Sequence, residues 1–154
     1  MRGYYVPVAA GVLLIASTFL PWINLGNEAL RGFPSVPALW IAGLGAIAVT
    51  LAVLSLITRR NSRHPLLVVG LLALGIMILS WRVLPRSVDE RALSLSQATA
   101  IVEGTEVEKG PGALVGIGIY LGTFASALIT LFGLTIVVKR VARPYTVASK
   151  DDDV

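Results

Sequence analysis

The amino-acid sequence predicts an all-α membrane protein, a bundle of four transmembrane helices with both termini in the cytoplasm. Of its 154 residues, 55% are hydrophobic and only 14% are charged, and the mean hydropathy is +0.79. An average soluble domain has about 25% charged residues. Four apolar segments are also near the ~20 residues that cross ~30 Å of hydrocarbon. The third observation is the uneven placement of Lys and Arg, which indicates one orientation.

The predicted transmembrane segments form a single domain spanning 1–154, and they cover about 4–22, 36–57, 65–84 and 113–138. A signal peptide is an alternative for the first segment. We expect a retained span instead, because the segment ends in Leu20-Pro21-Trp22 without a small-x-small cleavage site. The third segment reaches full length only by including Arg82, whose side chain would extend to the headgroups.

The basic residues predict which ends lie in the cytoplasm. With the amino terminus inside, eight of the thirteen Lys and Arg residues are cytoplasmic, including three arginines in the short connection 58–64. The tail 139–154 is then also cytoplasmic. Six basic residues are expected to contact anionic inner-leaflet lipid: Arg59, Arg60, Arg63, Lys139, Arg140 and Arg143. The basic residues are not interleaved with aromatic ones as on a nucleic-acid surface, so no nucleic-acid partner is expected.

The two outer connections differ in predicted structure. The first, 23–35, is rich in Gly, Asn and Pro and predicts a plain loop. The second contains a capping-box pattern, Ser87 and Glu90, which predicts a separate amphipathic helix over about 88–102 on the outer membrane surface, ending at Gly104. This helix is either a solvated lid or a docking site for another subunit. The candidate docking residues are Val88, Ala92, Leu95 and Val102, with Tyr145 in the tail.

Small residues recur at four-residue spacing in two of the segments. They form one ridge of Ala38, Ala42, Ala46 and Thr50, and a second ridge of Gly118, Gly122, Ser126 and Thr130. Small residues let membrane helices approach closely. We therefore expect the second and fourth segments to form a close pair, or one ridge to pack internally while the other meets a neighbouring protein.

Residues that carry enzyme chemistry are scarce. The chain has no cysteine, its one histidine is His64 at a predicted membrane boundary, and it has no Gly-x-Ser-x-Gly or His-Glu-x-x-His motif. We expect no catalytic residue, no cofactor and no metal. Ionisable residues are absent from membrane depth, which disfavours ion or proton transport. Hydroxyl groups remain there, so a neutral or lipidic ligand between helices stays an alternative.

Several short motifs carry a resemblance. The first segment ends in Phe19-Leu20-Pro21-Trp22, and the last begins Gly110-Pro111-Gly112 and continues Gly116-Ile117-Gly118-Ile119-Tyr120-Leu121. With the polar outer loop, this topology resembles a broad class of small, uncharacterised bacterial four-helix membrane proteins. The resemblance covers the topology of the whole chain. It implies a bacterial plasma (inner) membrane location, and it brings no catalytic residues.

The chain lacks residues for catalysis, and it has two small-residue ridges, a large polar outer connection and a polar cytoplasmic tail. This combination predicts a non-catalytic accessory or scaffold subunit. Its partners would be membrane lipids and other integral membrane subunits of a larger complex, for example a respiratory or photosynthetic one. The alternative is a small-molecule or lipid-binding sensor or transporter that acts as a homo-oligomer. The alternative predicts a cavity at mid-membrane depth that is lined by Ser and Thr.

Overall fold

The computed structural model describes residues 4–58, 62–104, 106–107 and 110–141, with side chains up to residue 135. Helices dominate this part of the chain, and a small sheet that the sequence did not predict joins them. The elements in chain order are α1 Tyr5–Ser17, β1 Pro21–Leu25, β2 Glu28–Arg31, α2 Val36–Thr58, α3 Arg63–Glu103, β3 Ala113–Val115 and α4 Ile117–Val141.

The four helices pack in a ring. The most extensive contact joins α3 and α4, and α1 lies against both α2 and α4, while α2 also touches α3. The expected close pair of α2 and α4 is therefore wrong, because these two helices lie diagonally across the ring. Among the described residues, three helices are long and apolar enough to cross a membrane: α2, α3 and the part of α4 over Ile117–Thr135.

Helix α1 is shorter than its apolar segment. Its 13 residues end at Ser17, so it covers about 20 Å at 1.5 Å per residue. The expected end at Trp22 is wrong for a local reason. The hydroxyls of Ser17 and Thr18 donate to the carbonyls of the preceding turn, and Pro21 has no N–H with which to continue the helix.

The sheet stands on one end of the helix ring, which we call the sheet end. Its strand order is β2-β1-β3, with antiparallel pairing throughout. The strand ends near Pro21, Arg31 and Val115 lead into the helices, whereas Leu25, at the far end of the sheet, pairs with both Glu28 and Ala113. The expected plain loop 23–35 is thus largely a β-hairpin, closed by a turn in which Gly26 has a φ of 58°.

Helix α3 continues far past the length of a membrane span. It runs unbroken for 41 residues, which is about 60 Å. The expected separate surface helix over 88–102 is therefore the second half of α3. Ser87 does not cap a new helix, because its hydroxyl donates to the carbonyl of Leu84 inside α3. The helix ends as predicted at Gly104, which caps it in the left-handed conformation with a φ of 65°.

The two small-residue ridges have different surroundings. All four residues of the ridge on α4 are buried, whereas on α2 only Ala38 is buried, Ala42 is half-buried, and Ala46 and Thr50 are exposed. Four residues turn a helix by about 400°, so a ridge at this spacing rotates about 40° per step away from its partner. Helix α4 buries its ridge because α1 and α3 cover two of its sides. Helix α2 also lies against α1 and α3, but its contact with α3 is much less extensive than that of α4, so most of its ridge is not covered.

Candidate docking site

The half of α3 from Pro85 to Glu103 projects beyond the other helices at the sheet end. It contacts β3, and the carboxylate of Asp89 accepts a hydrogen bond of 2.7 Å from the backbone N–H of Ala113. Ala113 is the first residue of β3, whose other edge pairs with β1. The hydrogen bond therefore both caps an edge amide of the sheet and ties the projecting half-helix to the sheet.

One side of the projecting half-helix changes from packed to open along its length. Val88 and Ala92 are half-buried, and Val88 packs against the hydrophobic core. Further along the same side, Leu95 is 69% exposed and Val102 is 85% exposed. We call Leu95, Thr99 and Val102 the docking face. These residues lie on the same side of α3 as Val88 and Ala92, and no element of the described chain covers them.

The docking face is also free of charge. From Ala92 to Val102 the sequence contains no Asp, Glu, Lys or Arg. The hydroxyl of Thr99, in the middle of the face, donates to the carbonyl of Leu95 and so is satisfied within the helix. Ile101, which is equally exposed, points about 100° away from Val102. The arrangement offers an apolar strip to a partner surface and no group for chemistry.

A buried tryptophan fixes the base of the sheet beneath this half-helix. Trp22 is 1% exposed, and its indole Nε1–H donates to the carbonyl of Ser17 at 2.9 Å. Added Cβ atoms on Gly32 and Gly118 would collide with its ring, so both backbones lie directly on the indole. The hairpin that contains Trp22 has one signal in the sequence. Gly26-Asn27 is a turn dipeptide, and it lies between two short segments in which apolar and polar residues alternate.

Two of the surface hollows of the described chain bear on what it could bind. One, of about 480 Å³, lies beside the docking face and is lined by Ser96, Thr99, Ala100, Glu103, Glu106, Gly110 and Pro111. The other, of about 350 Å³, is an apolar notch over Gly43 on the outer side of α2, between Trp40 and Ile47. Carboxylates at the first hollow give it negative charge next to the apolar strip, whereas the second is suited only to apolar groups.

Three buried hydroxyl groups inside the helix ring donate to their own helices. Ser17 donates to Leu14, Ser126 donates to Thr123, and Thr130 donates to Ser126, in each case to a backbone carbonyl. The ring is also tightly packed there, because a Cβ on Gly70 would lie 2.7 Å from the backbone nitrogen of Thr130. Neither of the two hollows described above is lined by these hydroxyls.

At the opposite end of the ring, which we call the Arg63 end, aromatic rings surround one arginine. The guanidinium carbon of Arg63 lies 5.5 Å from the centre of the Phe132 ring. Tyr4 meets the same ring edge-on, with centroids 5.1 Å apart. Nearby, the hydroxyls of Ser55 and Ser62 form a short hydrogen bond that links α2 to the residue before α3.

Several residues that the sequence predicts to contact lipid or a partner are outside the described residues or lack a described side chain. Arg59, Arg60, Arg143 and Tyr145 are outside the described residues, and Lys139 and Arg140 belong to the last turns of α4 without a described side chain. The structure brings Leu95 and Val102 together on one face, and it places Arg63 at the other end of the molecule. Within the described ranges, no group of three or more His, Asp or Glu residues is arranged to hold a metal ion.

Comparison with known proteins gives no relative for this chain. No protein-family model matches it, and neither a curated protein nor a solved structure is significantly similar.

Proposed function

We propose that this chain is a non-catalytic accessory or scaffold subunit of a larger protein complex in a bacterial inner membrane, and that the docking face of α3 binds another subunit. The observation that carries the proposal is the projecting half of α3. This half-helix exposes large apolar side chains, and it extends beyond the length of α3 that a bilayer can cover.

The orientation rests on the distribution of charge. Among the described residues, the carboxylates lie at the sheet end, on Glu28, Asp89, Glu90, Glu103 and Glu106. By sequence position, eight of the thirteen Lys and Arg residues belong to the stretch before α1, to 58–64 or to 139–154, and Arg63 is one of them. The stretches 23–35 and 82–112 carry the other five, which are Arg31, Arg82, Arg86, Arg91 and Lys109. Because short cytoplasmic segments are enriched in Lys and Arg, the Arg63 end is assigned to the cytoplasm and the sheet end to the outer side. In this orientation the chain crosses the membrane several times.

Lipid cannot cover the docking face in this orientation. A span beginning at Arg63 uses about 20 residues to cross the hydrocarbon core, which leaves the stretch from Pro85 to Glu103 outside it. That stretch is about 28 Å long. Leu95 and Val102 therefore face water in the isolated chain, and burial of such side chains gains roughly 25 cal/mol for each Å² of apolar surface. A partner subunit with an apolar surface supplies that burial.

The proposal is tested by purifying the tagged protein from its native membrane into nanodiscs and measuring the native mass. We expect the wild-type chain to retain a different polypeptide in fixed stoichiometry. The double variant Leu95→Asn, Val102→Asn should lose that polypeptide. Ile101→Asn is the matched control, because Ile101 is as exposed as Val102 but points to another side, and this variant should retain the partner.

Two results would overturn the proposal. One is recovery of the wild-type chain alone or only as a homo-oligomer, in a preparation that keeps other membrane complexes intact. The other is equal retention of the partner by the wild type and by the double variant, which would place the contact elsewhere on the surface.

A further inference from the structure

Three elements meet around Arg63 and hold its side chain in place. Arg63 is the first residue of α3, and its guanidinium lies over the ring of Phe132 from α4. The edge of Tyr4, just before α1, braces the same ring. Tyr4 is buried, and its hydroxyl accepts a hydrogen bond of 3.2 Å from the backbone N–H of Ser62. The start of α3 is therefore fastened to the aromatic pair on which Arg63 lies.

Close helix packing keeps that aromatic pair rigid. Gly133, next to Phe132, lies so near α3 that a Cβ added to it would be 2.6 Å from the Cα of Leu67. The backbone carrying Phe132 thus cannot shift towards α3. A guanidinium within about 6 Å of a ring centre is attracted to the ring, which limits the positions that the Arg63 side chain takes. Arg63 is half-buried rather than enclosed, so part of its side chain is accessible.

We propose that Arg63 binds the phosphate of an anionic membrane lipid at the cytoplasmic surface. A planar guanidinium that is already oriented can donate two parallel hydrogen bonds to phosphate oxygens. The adjoining turns of α3 favour a lipid over a soluble phosphate. Leu71 and Ile78, which lie within about 80° of Arg63 around α3, are exposed and apolar, so acyl chains that extend from a headgroup at Arg63 lie against them. This site is at the other end of the molecule from the docking face, and it stands or fails independently of that function.

Native mass spectrometry of the full chain in detergent tests the site. The probes are palmitoyl-oleoyl-phosphatidylglycerol and palmitoyl-oleoyl-phosphatidylcholine, added separately at equal concentrations. We expect one phosphatidylglycerol to remain bound and phosphatidylcholine to be lost. Arg63→Gln should bind phosphatidylglycerol about tenfold more weakly, as expected for loss of charge-assisted hydrogen bonds. Arg82→Gln, which removes an exposed arginine at the sheet end, should bind it as the wild type does.

Two further variants separate binding from folding. Arg63→Lys keeps the positive charge but cannot form the paired hydrogen bonds, and Phe132→Leu keeps the guanidinium but removes the ring beneath it. Both should retain wild-type helicity by circular dichroism and bind phosphatidylglycerol more weakly than the wild type. If Arg63→Gln does not fold, these two variants decide the question, and unchanged binding in both overturns the proposal.

Other outcomes would also overturn it. Equal retention of the two lipids by the wild type would show that the phosphate charge is not recognised, and equal losses in Arg63→Gln and Arg82→Gln would show a general effect of charge. Inorganic phosphate is the last arm. If it displaces phosphatidylglycerol at millimolar concentration and binds with the same dependence on Arg63, the site is one for a soluble anion and the lipid assignment is wrong.

Discussion

The half of α3 from Arg63 to Leu84 and the half from Pro85 to Glu103 belong to one helix but bury their side chains very differently. The first half has six buried residues, which are Leu66, Val69, Gly70, Ala73, Met77 and Ser80, whereas the second has only Ala100. Close contact with α4 stabilises the first half. The second half depends on helix continuity, on the packing of Val88 against the core and on one hydrogen bond to the sheet, and low burial of this kind is typical of locally less stable segments.

The largest difference is expected from truncation to alanine of one apolar side chain in each half. Met77→Ala removes a fully buried side chain, and core truncations of this kind cost about 2 to 5 kcal/mol. Val102→Ala removes an exposed side chain and should change the free energy of unfolding by less than about 0.5 kcal/mol. Unfolding by SDS titration in mixed micelles measures both. Similar losses in the two variants would show that the projecting half is packed in the isolated chain.

Two glycines within the first half give a finer test. A Cβ on Gly70 would lie 2.7 Å from the backbone nitrogen of Thr130, whereas a Cβ on Gly75 would have no neighbour within 4 Å. Gly70→Ala should therefore cost about 1 to 3 kcal/mol through overpacking. Gly75→Ala should instead stabilise the helix by up to about 1 kcal/mol. Thermal unfolding in one detergent gives both values, and a gain for Gly70→Ala would contradict the close approach of α3 and α4.

Asp89 is the point at which the second half is fastened to the sheet. Asp89→Ala leaves the N–H of Ala113 without its acceptor, which should cost about 1 to 2 kcal/mol. Hydrogen exchange at Ala113 should become faster, and exchange across the projecting helix should rise with it. Glu90→Ala is the control, because Glu90 is exposed. Unchanged exchange in Asp89→Ala would mean that packing alone holds the half-helix against β3.

The smallest effect is expected where the two halves join. Pro85 lies inside α3 and cannot donate the backbone hydrogen bond that the carbonyl of Trp81 would otherwise accept. Pro85→Ala restores that donor and should raise the free energy of unfolding by about 1 kcal/mol. The gain is less than the ~3 kcal/mol penalty of an interior proline, because water can reach this carbonyl near the membrane surface. Slower hydrogen exchange over residues 81–89 would accompany it, and faster exchange there would contradict the prediction.

Local pattern was enough to predict the long apolar helices. The sequence predicts a segment beginning at Val36, and α2 begins there. The left-handed glycine that ends α3 was also predictable, because Gly104 follows the last turn of an apolar and polar repeat. Both features depend on a few neighbouring residues, and the physical causes are hydrophobic length and glycine conformation.

The sheet and the full length of α3 could not be read in the same way. Strand β3 pairs with β1, which lies about ninety residues earlier in the chain, and no local pattern reports such a partner. At Pro85 the composition changes from apolar to polar while the secondary structure does not. The sequence therefore indicates a boundary there, but the boundary separates two environments of one helix. The docking residues Leu95 and Val102 followed from spacing, whereas the aromatic support of Arg63 required the packing of α1 on α4.

The short first helix has a consequence for the bilayer itself. Helix α1 provides about 20 Å of apolar length beside neighbours that are long enough for the usual ~30 Å of hydrocarbon. In the proposed orientation, lipids next to α1 must shorten or tilt their chains to match it, which costs fractions of a kcal/mol for each Å of mismatch. In that orientation we expect the bilayer to be thinner beside α1 than beside the other helices. Such asymmetric thinning would favour thin bilayers, and it would give neighbouring proteins a preferred side from which to approach.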